Sequence, residues 1–89
     1  MSSNVQRAFW AESCLEHFSC LTGENDTADG VTDLIANLGH YCQASGLDFL
    51  RCVRTAIGHW HVEQADPEFF GPLPEVTISI NESSTDARH

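Results

Sequence analysis

The chain has 89 residues and 9.8 kDa, with 42% hydrophobic residues, 13 acids, 4 arginines, no lysine and a net charge of −9. That length allows one domain with a thin core, because chains of this size bury only about 60% of their unfolded surface. It offers no apolar run near the roughly 20 residues that a membrane helix requires. Arg7, Arg51, Arg54 and Arg88 are too few and too scattered to displace counterions from a nucleic-acid duplex.

The N-terminal stretch MSSNVQRAFWAESC lacks the basic start and the apolar run of a signal peptide, so a cytoplasmic location is expected. The first predicted helix covers residues 4–22. Ser2, Ser3 and Asn4 can each cap its start. Ala8, Ala11, Cys14, Leu15, Phe18 and Leu21 recur at helical spacing as one apolar stripe. Arg7, Glu12, Glu16 and Ser19 fall mostly off that stripe, and Phe9 and Trp10 flank it. Gly23 suits the stop.

The segment Gly23 to Gly30, GENDTADG, reads as an acidic loop of turn formers. Its acids have some flavour of a calcium loop, but the twelve-residue ligand pattern with a terminal glutamate is missing. The second helix is expected from Gly30 or Val31 to Ala44 or Ser45. Val31, Leu34, Ile35, Leu38, Tyr41 and Cys42 form its buried stripe. Gly39, inside that helix, implies that a neighbouring helix crosses closely there. Gly46 ends the helix, and Asp48 caps a third one that runs to Gln64 or Ala65 before Pro67. Leu47 and Cys52 are spaced as a hydrophobic staple. Phe49, Cys52, Val53, Ala56, Ile57 and Trp60 share one face; Arg51, Arg54, Thr55 and Gly58 lie elsewhere. The short connection makes helices two and three neighbours.

Beyond Ala65 the character changes. PEFFGPLPEV is proline-rich and extended, with Phe69, Phe70 and Leu73 expected to fold back over the helices. Glu75 to Ile80 alternates Val76, Ile78 and Ile80 with Thr77 and Ser79, the period of a short strand. A lone strand cannot satisfy its own backbone. It therefore pairs with a strand elsewhere in the chain, across a dimer or with a partner. Residues 81–89 read as a frayed polar tail. The expected fold is mostly α: a three-helix domain over 1–66 with a helix-turn-helix-like hairpin, a C-terminal extended arm over 67–80 carrying one short β-strand, and the tail.

The candidate chemistry is sparse. Cys14, Cys42 and Cys52 fall on apolar faces and read as reduced core thiols. His40 with Cys42, and His59 with His61, are two residues apart, so each pair points to opposite sides of a helix and cannot chelate one ion. One member of each pair could still combine across the helices, for example Cys42 with Cys52 and His61, and the plainer reading is core thiols and boundary histidines. No phosphate loop, GxSxG or HExxH occurs, and the thiols sit in acidic rather than electropositive surroundings. No enzyme activity, metal or cofactor is expected. The helix pair has the outline of a DNA-binding helix-turn-helix, but a recognition helix opening on Asp48, Phe49 and Leu50 suits a phosphate-lined groove poorly.

The segment Val31 to Glu63 resembles short, mostly uncharacterised proteins of phages, plasmids and bacterial genomes. The pattern is carried by Thr32, Asp33, Leu34, Leu38, His40, Tyr41, Asp48, Phe49, Trp60 and Glu63. The resemblance implies a mobile-element accessory protein. By analogy of size and charge it is similar to anti-CRISPR proteins, small acidic inhibitors that occupy the basic nucleic-acid channel of a host protein. The expected function is therefore inhibition of a basic nucleic-acid-binding protein, such as a CRISPR effector subunit, by DNA mimicry. The acids expected to carry it are Glu24, Asp26, Asp29, Asp33, Glu63 and Asp66. The alternatives are a homodimeric regulatory module joined through Trp10, Phe69, Phe70, Val76 and Ile78, and a DNA-binding regulator. The plainest alternative is that the acidic surface only confers solubility.

Overall fold

The computed structural model describes residues 3–82. Three helices, α1 (Asn4–Thr22), α2 (Thr27–Ser45) and α3 (Phe49–Glu63), follow one another through short connections. They take up 66% of the described residues, so the chain is mostly α.

Each helix is closed at its start by its own sequence. The Ser3 hydroxyl accepts from the Gln6 N–H at 3.1 Å, Asp26 Oδ1 from the Asp29 N–H at 2.9 Å, and Asp48 Oδ1 from the Arg51 N–H at 3.1 Å. These bonds satisfy donors that a helix N-terminus otherwise leaves free. Gly23 (φ 79°) and Gly46 (φ 74°) end α1 and α2 in the left-handed conformation, where glycine lacks the penalty of a side chain. Their N–H groups donate back into the helix: Gly23 bonds the Ser19 carbonyl, and Gly46 the Cys42 carbonyl.

The start of α2 corrects the expected boundary. It begins at Thr27, three residues before Gly30, because Asp26 caps it and Asp29 sits favourably in its first turn. Half of the expected acidic loop is therefore helix. The α2–α3 hairpin forms as expected. Gly39 is approached by α3 through a side chain: a Cβ there would lie 3.1 Å from the ring of Phe49, the first residue of α3.

The interior is thinner than the stripes imply. Among the described hydrophobic residues only Phe18 and Cys42 are buried, at 9% and 7% exposure. Cys14 and Cys52, expected in the core, are exposed. On α1, Leu15 is half-buried while Ala8, Ala11, Cys14 and Leu21 are exposed. On α2, Val31, Ile35, Leu38 and Tyr41 are all exposed. Leu47 and Cys52 are both exposed, so the expected staple shields neither. The physical reason is geometric: three short helices in sequence offer one another too little surface to cover every stripe.

The arm covers the side of α3 opposite its apolar stripe. A Cβ at buried Gly58 would lie 3.6 Å from both Leu73 Cβ and the Pro74 carbonyl oxygen. Leu73, Val76 and Ile78 are half-buried, whereas Thr77, Ser79 and Ile80 are exposed. The expected alternation is present in burial at Val76 and Ile78 but not at Ile80, and Glu75–Ile80 forms no strand; no strand occurs among the described residues. The backbone has no neighbouring strand to pair with. Phe69 and Phe70, expected to pack back, remain exposed, Phe70 fully. Of the expected tail, residues 83–89 lie outside the described residues, as does Ser2 among the candidate caps.

Candidate acidic interaction surface

The six acids singled out from the sequence fall into two groups at opposite ends of α1. Glu24, Asp26, Asp29 and Asp33 cluster where α1 gives way to α2. Glu63 lies at the other end, because the last turn of α3 meets the first turn of α1. There the Asn4 side-chain amide donates to the Glu63 carbonyl at 2.7 Å, and Arg7 Nη1 lies 3.6 Å from Glu63 Oε1. Asp66 follows just beyond α3. Between the two groups runs α1, 19 residues or about 27 Å long at a 1.5 Å rise per residue.

Several of these acids already hold the backbone in place. Glu24 Oε1 accepts from the Asp26 N–H at 2.8 Å, Asp26 caps α2, and Asp66 Oδ1 accepts from the Glu68 N–H at 3.1 Å. Glu63 makes the one ion pair recorded among the described residues. Asp29 and Asp33, four residues apart on the exposed surface of α2, make no side-chain bond of this kind.

Of the first group, Glu24 and Asp26 line a cleft of about 480 Å³ between α1 and the start of α2; Asp29 and Asp33 do not. Its floor on α1 is apolar: Ala8, Ala11, Leu15 and Phe18. Its rim carries Glu12 and Glu16 on α1, with Glu24 and Asp26 facing them from the connection and the α2 cap. Glu12 and Glu16 were absent from the expected set. The available signal was their spacing: Ala8, Glu12 and Glu16 follow one another at four-residue intervals, beside Ala11 and Leu15, on one side of the helix. No cation is among the lining residues.

Of the residues expected at a dimer contact, Trp10 (50% exposed) and Phe70 stand free, Phe69 is just exposed, and Val76 and Ile78 are half-buried within their own chain. Cys42 is buried and Cys52 exposed. Burial first, and then the neighbourhood of Cys52, raise the Cys42 thiol above its ordinary pKa of 9.0. This favours the neutral thiol and disfavours a nucleophilic role. No group of three or more His, Cys, Asp or Glu side chains among the described residues is arranged to hold a metal ion. No described helix is long and apolar enough to cross a membrane. Comparisons with protein-family models, curated proteins and solved structures give no match.

Proposed function

We propose that the chain is a small acidic, non-enzymatic inhibitor that binds a basic nucleic-acid-binding protein in the cytoplasm. Its mode of action is DNA mimicry of the anti-CRISPR kind, in keeping with the mobile-element resemblance of Val31 to Glu63. The observation that carries this reading is the net charge of −9 without a single lysine. The placement of the acids is compatible with it. A partner surface built to bind phosphates would meet carboxylates instead.

Binding to a basic partner, such as a CRISPR effector, is tested by competition with duplex DNA across a salt series. Screening should weaken the complex steeply as salt rises. Charge reversal at Asp29 and Asp33, whose carboxylates hold no backbone group, should weaken it strongly while the helical circular dichroism is retained. An affinity indifferent to salt, or a complex that DNA does not displace, refutes mimicry.

A second reading, homodimerisation, is favoured by the exposure of Trp10 and Phe70. Sedimentation of the full chain against a truncation after Ala65 separates the two. A monomer in both cases removes the arm as a dimer clasp.

A further inference from the structure

The apolar line along α1 has the pattern of a packed helix face, yet it forms the floor of an open cleft. Ala8 and Ala11 are exposed and Leu15 is only half-buried, although their spacing is that of a core-facing stripe. Such a stripe of small and medium side chains lets another backbone approach closely. From Ala8 to Ser19 the floor runs about 17 Å, or three helical turns.

Charge decides what fits. The walls over this floor hold Glu12, Glu16, Glu24 and Asp26 and no cation. A concave surface lined by one sign of charge concentrates its field and selects an oppositely charged occupant. A second copy of this chain is a poor candidate, because it is itself at −9. Its α2 contains no arginine. Its α3 has Arg51, exposed, and Arg54, half-buried, two cations on a chain that carries 13 acids.

We propose that the cleft between α1 and the start of α2 is a docking groove for a basic amphipathic helix of the partner protein. Apolar side chains of that helix sit on Ala8, Ala11 and Leu15, and its flanking arginines or lysines reach Glu12, Glu16, Glu24 and Asp26. This is helix-in-groove recognition with a charged rim. It rests on the reading that the partner is basic, and adds that the partner is bound through an apolar seam as well as through charge.

The test uses the full chain and two fluorescein-labelled synthetic peptides of equal length and arginine content. One has its leucines on a single helical face; the other has the same leucines scrambled. At about 0.15 M ionic strength, the amphipathic peptide should bind at least about tenfold more tightly than the scrambled one, a difference of 1.4 kcal/mol. Ala11→Glu removes the apolar floor while adding a negative charge at an exposed helical position. It should weaken the amphipathic peptide about tenfold, a 1.4 kcal/mol loss, whereas simple charge attraction would tighten it. Glu12→Gln with Glu16→Gln should weaken the same peptide and flatten its salt dependence.

Equal binding of the two peptides, or an Ala11→Glu variant that binds as well as the parent, overturns the groove while leaving the charge-based reading standing. If neither peptide binds even at low salt, both fall. A dimer of the free protein that Ala11→Glu dissolves also overturns the proposal, by making a second copy the occupant.

Discussion

Three glycines lie inside helices, and the structure assigns them different responses to a single methyl group. Glycine in a helix interior is destabilising by roughly 0.5–1 kcal/mol relative to alanine. That gain is available wherever a Cβ meets no obstacle. At Gly30 nothing lies within 4 Å of the added carbon, and at Gly58 the nearest atoms, Leu73 Cβ and the Pro74 oxygen, are at an ordinary 3.6 Å. Gly30→Ala and Gly58→Ala should therefore each stabilise the chain by about 0.5–1 kcal/mol, raising Tm by about 2–8 °C for a domain of this size. At Gly39 the Phe49 ring stands 3.1 Å from the new carbon, with a second ring carbon at 3.3 Å. The ring must shift by a few tenths of an ångström against its neighbours. Overpacking then opposes the helical gain, so Gly39→Ala should be neutral or destabilising. Thermal and urea unfolding of the three variants, read at the same salt, is the assay. If Gly39→Ala stabilises as much as Gly30→Ala, the close seating of Phe49 on α2 is wrong. If Gly58→Ala destabilises, the spacing of the arm over α3 is wrong.

Other predictions follow from the caps, the thiols and the charge. Asp26→Ala and Asp48→Ala should each cost about 1 kcal/mol, and Asp26→Ala should also shorten α2 at its start, visible as lost amide protection there. Asn4→Ala removes a donor from the Glu63 carbonyl and should cost about 0.5–1.5 kcal/mol; Glu63→Gln breaks only a partly exposed ion pair, worth about 0–1 kcal/mol. Iodoacetamide followed by mass spectrometry should modify Cys42 most slowly of the four thiols. Because folding raises the Cys42 pKa above 9.0, its contribution to stability is present below that pH and is lost as pH rises through the folded value. Added sodium chloride should raise Tm, since screening relieves the self-repulsion of a chain at −9.

Local chemistry was readable from the sequence wherever a signal lies within a few residues of its effect. Gly23, Gly46 and Asp48 mark their boundaries because the atoms they bond are three or four residues away. Asp26 sends the same kind of signal through Asp29, but Gly30 obscured it, being a poor helix residue that a good cap can nevertheless carry. What the sequence could not convey is which stripes find a partner. The Ala8–Ala11–Leu15 line and the Val31–Ile35–Leu38 line have the same period as buried faces, and periodicity does not say whether three helices suffice to cover them. Glu12 and Glu16 were overlooked for a related reason. Their spacing places them mostly off the stripe, whereas the stripe is open and they line the cleft above it. The arm was legible as an alternating segment, but its seat on Gly58 depends on an approach from Leu73 and Pro74, 15 and 16 positions away, that no local pattern encodes.

The sparse interior has a calorimetric consequence. Heat-capacity change on unfolding tracks the apolar surface newly exposed, and here much of that surface is in contact with water before unfolding begins. The free chain should therefore unfold over a broad temperature range, with a smaller heat-capacity step than its length would suggest. Whatever covers the α1 floor removes apolar surface from water that folding left wet, so a negative heat-capacity change should accompany binding. For this protein, part of the thermodynamics that normally belongs to folding would be measured in a titration.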